Sequence, residues 1–237
     1  QAAPDKKAIA SLSDSKKVEA KASAKDNAYK AKAMLSYLLY RENSAEIRKR
    51  SAKEIGKLKD QDFLGLFQKI QESKASIQYT GSLTEREVQC SLEKLHLTKN
   101  AQDLGLKVFP MYAPTQAQLY LLNDKDTRQS IIQTYVVTPE LKTDRERLLA
   151  LLLNDYIGGS MSSLLFQEIR EFRSLAYRAN SSMQLPPKRA SEKRAVFNTV
   201  LSTQTDKTAE ALDVLMAILK APDFNQKRFE RAKLDHY

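Results

Sequence analysis

From Asp26 onward the apolar positions fall into a helical rhythm: Tyr29, Ala33, Leu35, Leu38 and Leu39 share one broad face. Glu42-Asn43-Ser44 interrupts it, and Ser44 can cap a following helix that carries Ile47, Ala52 and Ile55. Asp60 can cap a third helix, with Phe63, Leu66, Phe67 and Ile70 turned inward. The period then changes. Ser76-Ile77-Gln78-Tyr79 alternates and stops at Thr80-Gly81, which predicts a short strand running into a turn. Thr84 and Glu87 form a capping-box pair that opens a helix reaching Leu95. Residues 1–25, rich in Lys, Ala and Ser with little pattern, predict a frayed helix or tether. Residues 98–117, with two prolines and poor periodicity, predict a linker.

The second half has a different rhythm. Gln118–Leu122 and Gln129–Val137 are strand-like, joined at Asn123-Asp124-Lys125-Asp126, and Pro139 ends the second. Thr143 to Ile157 predicts a long helix. Its leucines at 148, 149, 151, 152 and 153 make it apolar almost all round, so it is expected to be buried. Gly158-Gly159 stops it, and a second helix runs from about Ser162 to Phe172. Strands follow near Leu175–Met183 and Arg194–Thr203, separated by Pro186-Pro187. Asp206 opens an amphipathic helix bearing Ala209, Leu212, Leu215 and Leu219, and a last helix from about Asn225 reaches Tyr237 without a stop signal. Strands and helices in separate runs imply an α+β fold, an antiparallel sheet with helices packed on one face, joined to a helical N-terminal segment. The expected division is 1–97 as the closing half of one unit, 98–117 as linker, and 118–237 as the opening half of the next.

Composition narrows the function classes. Gly and Pro, 6 and 7 among 237 residues, are too scarce for a system of Gly-rich catalytic loops. No run of 18 apolar residues predicts a membrane span, and the opening QAAPDKKAIA lacks the apolar core of a signal peptide. The net charge of +10 raises nucleic acid as a partner, but the basic residues are dispersed and interleaved with acids, as in Arg145-Glu146-Arg147. Without a basic stripe carrying aromatics, no nucleic-acid partner is expected; acidic peptide substrates or an acidic missing domain account for the charge as well. The single cysteine, Cys90, excludes an internal disulfide, and its neighbours Val88, Leu92 and Leu95 predict a buried thiol. That leaves the compartment open between periplasm and cytoplasm.

The chemistry of a self-sufficient active site is missing. His96 and His236 each stand alone at a helix end, so neither HExxH nor HxxEH can be assembled. No G-x-S-x-G elbow accompanies them, and Gly158-Gly159 lacks the Lys-Ser/Thr of a phosphate loop. No metal or cofactor is expected in this chain.

One stretch, Gly158–Arg178, carries a specific pattern: Ile157, Gly158-Gly159, Met161-Ser162-Ser163, Leu165-Phe166, Arg170-Glu171 and Leu175-Ala176-Tyr177. In order and spacing it resembles the signature of the insulinase/pitrilysin (inverzincin) zinc metallopeptidases. Asp124–Ser130 and Ile77–Leu95 are similar, more loosely, to the family's opening and closing segments, so the resemblance covers most of 30–237. It implies two homologous halves that close like a clam, the N-terminal one carrying HxxEH and zinc. The helix 143–157 has Leu and Ala where those ligands would stand, so this chain is similar to the zinc-free C-terminal half, with peptide as substrate and the catalytic half as partner.

In the family that half supplies an Arg and a Tyr seven positions apart. Arg170 and Tyr177 match and are the expected substrate-binding residues, whereas Arg173 and Arg178 are read as solvated charges. Ser174 departs from the family's usual Gly or Gln, which matters if that position needs φ > 0. The physical case stands beside the resemblance: attack on a peptide carbonyl creates an oxyanion that needs a preorganised donor, and a guanidinium holds carbonyls with a forked, permanent charge. The alternative is a structural or processing-partner subunit of the same fold.

Overall fold

A computed structural model of the chain describes residues 6–93, 101, 108–125, 127–188 and 190–234. It divides into two units, residues 1–22 with 49–107, and residues 23–48 with 108–237.

The first unit is helical. Helix α1 (Lys6–Ser23) spans residues expected to be frayed. Its buried Ser13 donates from Oγ to the Ala52 carbonyl at 2.8 Å, which ties the helix to α4 (Ala52–Ile55). Helix α4 has its own capping box, Ser51 with Glu54, so the helix expected to run from Ser44 to Ile55 is two short pieces. Helix α5 (Asp60–Gln71) begins at Asp60, but Lys59 is the cap residue, and the Asp62 carboxylate reaches back to its N–H at 2.7 Å. The Thr84/Glu87 box opens α6 (Glu85–Glu93) as expected; Leu95 and His96 lie outside the described residues.

Three expectations fail in this unit. The face of α5 is exposed at Phe63, Leu66, Phe67 and Ile70. Cys90 is exposed, because α6 turns only Val88 and Leu92 partly away from solvent. Residues 76–80 form no strand. A strand needs a partner for its N–H and C=O groups, and the sheet lies wholly in the other unit. Tyr79 instead folds back over Gly81, its hydroxyl accepting the Leu83 N–H at 2.9 Å.

The second unit holds the sheet. It is antiparallel and three-stranded, β1 (Gln129–Glu140), β2 (Ala176–Gln184) and β3 (Arg194–Gln204), in the order β1-β3-β2. Gln118–Leu122, expected to be a strand, is irregular, and its leucines at 119, 121 and 122 are exposed. Helix α7 (Asp144–Asn154) starts from the Thr143/Glu146 box and runs into a π-helical turn over 155–159; a second π-turn covers 166–171. Helices α8 (Thr208–Lys220) and α9 (Gln226–Leu234) follow β3, with His236 outside the described residues.

Side-chain alternation sorts the sheet into two faces. Phe197 and Leu201 of β3 share a face with Ile132 and Ala179, the register partners of Leu201. They pack with Tyr156, Ile157, Leu164, Leu165, Ile169, Ala211 and Leu215 in the main core. In α8 the inward face is centred on Ala211 and Leu215, with Leu219 at its edge and Ala209 exposed. The opposite face presents Val196, Val137 and Tyr135, against which Leu35 and Leu39 of helix α2 (Asn27–Tyr40) pack. Short helix α3 (Ala45–Arg48) follows α2, and the Tyr112 N–H donates to the Leu39 carbonyl at 2.7 Å. Helix α7 is not buried all round: Leu148, Leu149 and Leu153 are about half exposed, and Ala150 alone is buried. A helix apolar on every side cannot bury them all against three strands.

Candidate functional site

The residues singled out in the sequence lie where the second π-turn feeds into β2. The helical run ends in a turn widened by one residue: the Ser174 N–H donates to the Arg170 carbonyl at 3.2 Å, and the Leu175 N–H to Ile169 at 2.9 Å. Ser174 sits at φ 49°, in the left-handed region that costs an L-residue about 1–2 kcal/mol. The turn thus holds its serine at strain. Ser174→Gly should raise stability by about 0.5–1 kcal/mol, the relief exceeding glycine's added unfolded-state entropy. Urea denaturation checks it; an unchanged or lower midpoint removes the strain argument.

Beyond that turn the strand is bulged. Ala176 registers with Thr203 and Arg178 with Ser202, so Tyr177 is the extra residue. Without the extra residue, Ala176 and Ala179, three apart, could not both face the core, yet both are buried. The bulge sends Tyr177 to the opposite face, where it is 57% exposed. Its hydroxyl donates to Gln129 Oε1 at 3.1 Å, reaching across to β1. That face is polar here: Asn198 Nδ2 donates to Ser182 Oγ at 2.6 Å, and Arg178 Nε to Asn180 Oδ1 at 3.0 Å.

Arg170 is also exposed. Its guanidinium lies 4.8 Å from the centroid of the Phe166 ring, and its Nε is 3.6 Å from Glu171. Arg173 is held at both ends of Glu168, by the carbonyl at 2.8 Å and by the carboxylate. Among the described residues Arg170 and Tyr177 share no hydrogen bond; one turn of backbone links them. No group of three His, Cys, Asp or Glu among the described residues could hold a metal ion. No helix of the described residues is long and apolar enough to cross a membrane.

Sequence reasoning missed Gln129 as the partner of Tyr177. The two are 48 positions apart, and only the bulge and the strand order bring them together.

The sequence matches the family described as "Peptidase M16 inactive domain" over residues 55–234. No curated protein is detectably similar in sequence. Among solved structures, the peptidase M16 inactive domain from Pseudomonas fluorescens is 16% identical with a TM-score of 0.67, covering 97% of this chain and 55% of that one. The periplasmic protease PqqL from Escherichia coli is 17% identical with a TM-score of 0.70, over 96% of this chain and 25% of that one. The ferredoxin protease FusC, solved with Arabidopsis ferredoxin, is 12% identical with a TM-score of 0.63, over 90% and 23%. The chain therefore spans about half the length of the first of these and about a quarter of the other two.

Proposed function

The chain belongs to the peptidase M16 family, as its inactive domain, and from that premise we propose that it supplies substrate binding and oxyanion stabilisation to peptide-bond hydrolysis. The zinc is supplied by a catalytic half of the enzyme, on the same polypeptide or a separate one. The observation that carries the reading is the bulge that turns Tyr177 off the core face and onto the opposite face, where it is exposed among polar side chains. Two structural relatives, PqqL and FusC, are proteases, which agrees with the reading.

The roles follow from the side chains. The Tyr177 O–H is a donor at the end of a rigid ring, and the Gln129 amide oxygen keeps it oriented while no substrate is present. Exchanging that partner for a carbonyl oxygen gaining negative charge makes the bond stronger as the charge develops, which is the condition for lowering a barrier. Arg170 carries a permanent charge on a planar fork and suits backbone carbonyls of an extended peptide. Its stacking on Phe166 limits the conformations lost on binding.

The test is reconstitution. The purified chain alone should cleave no peptide and hold no stoichiometric zinc after dialysis; mixed with the zinc-bearing half, it should raise peptide cleavage well above that of either part. One tightly held zinc per chain, or cleavage by the chain alone, would overturn the assignment. A complex that forms without gain in cleavage would give the chain a scaffold or processing-partner role instead.

A further inference from the structure

We propose that a basic hollow beside Tyr177 takes a carboxylate of the bound peptide; this rests on the peptide-binding reading above. The hollow, about 250 Å³, is lined by Lys25, Asn27, Asp124, Thr127, Arg128 and Gln129. Gln129 belongs to both places: it lines the hollow, and its amide oxygen receives the Tyr177 hydroxyl at 3.1 Å. A peptide engaging Tyr177 therefore passes within a side chain's reach of it.

The charges are not balanced. Asp124 is paired with Lys30, whose Nζ also donates to Asn27 Oδ1 at 3.3 Å. Asp26 is engaged at the start of α2, accepting the Ala28 N–H at 2.8 Å. Among the described residues Lys25 and Arg128 have no ion-pair partner. The wall between them is held in shape. Asn27 Nδ2 donates to Thr127 Oγ1 at 2.8 Å, and that hydroxyl donates on to the Gln129 carbonyl at 3.1 Å. The result is a preformed recess with two cations that have no ion-pair partner among the described residues, differing in geometry, and an amide donor, suited to a carboxylate. Lys25 and Arg128 act as specificity-determining residues: they select peptides by charge without touching the scissile bond.

The carboxylate has two sources, an acidic side chain or the peptide's own C-terminus. Three ten-residue peptides of Ala, Leu and Ser separate them: one with a central Glu and an amidated end, one with Gln and a free acid end, one with Gln and an amidated end. Calorimetric titration of the whole chain at low salt should show at least one acidic peptide binding on the order of 10-fold tighter than the neutral one. The preference should shrink at high salt. In the double variant Lys25→Gln with Arg128→Gln, with circular dichroism unchanged, the preference should vanish and the neutral peptide should bind as before. A preference that survives the double variant overturns the hollow. Equal binding of all three peptides overturns it too and leaves the peptide-binding reading standing. Binding of none at millimolar concentration counts against both.

Discussion

Tyr177→Phe should lower kcat by about 10²–10³ in the enzyme reconstituted with its zinc-bearing half, corresponding to about 2.7–4 kcal/mol for one oxyanion donor. The substitution removes a single oxygen from a side chain that is mostly exposed and, among the described residues, bonded only to Gln129, so folding should be untouched. The loss should fall on kcat, because the bond to the oxyanion strengthens only as charge develops. Arg170→Ala should raise KM as well, since in the proposed role the guanidinium also holds the ground-state peptide. Arg173→Ala is the control: its side chain is committed to Glu168, and its removal should leave kinetics nearly unchanged. Full activity of Tyr177→Phe in a folded, zinc-loaded enzyme would make the pair structural.

Gly158→Ala should destabilise the chain by about 2–3 kcal/mol, at the upper end of what overpacking a core costs. A methyl at Gly158 would stand 2.5 Å from the Ser181 backbone nitrogen and 2.9 Å from Leu165 Cδ1. The nitrogen belongs to β2 and cannot move without disturbing the ladder, and Leu165 is fully buried. The first π-turn could then no longer lie against β2, where the Ser181 hydroxyl donates to Asn154 Oδ1 at 2.9 Å. For Gly159→Ala, at the next position, the nearest atoms belong to the Asn154 and Asp155 side chains rather than to backbone, so it should cost less. Urea denaturation of the two variants side by side measures the difference; equal midpoints would show that the close approach is not what requires glycine at 158.

Much of the second unit was legible in the sequence because its signals are local. Thr143 with Glu146 marks a helix start whatever surrounds it, and Thr84 with Glu87 does the same in the first unit. The patterns in Gln129–Val137, Leu175–Met183 and Arg194–Thr203 mark three strands, and Gly158-Gly159 marks where the helical run stops. The motif placed Arg170 and Tyr177 by sequence order alone. Period could not say which apolar residues find a partner. Phe63 to Ile70 on α5, Leu148 and Leu149 on α7, and Cys90 on α6 carry good helical spacing, yet all are exposed. Ile77-Gln78-Tyr79 and Leu119–Leu122 alternate or cluster as strands do, yet pair with nothing in the sheet.

By itself, then, the sequence determined the α+β class, all three strand cores nearly to their ends, the helix starts, and the positions of Arg170 and Tyr177 on either side of Ser174. The tertiary structure alone decided the face on which Tyr177 stands, its hydroxyl partner 48 residues away, and the hollow that joins α2 to the 124–129 loop. The reason is the range of the interactions. Caps and turns are closed within four residues by hydrogen bonds to the same stretch of backbone. A bulge, a strand order or a recess exists only when segments far apart in the chain lie side by side, and a one-residue slip in register would exchange the two faces of the sheet.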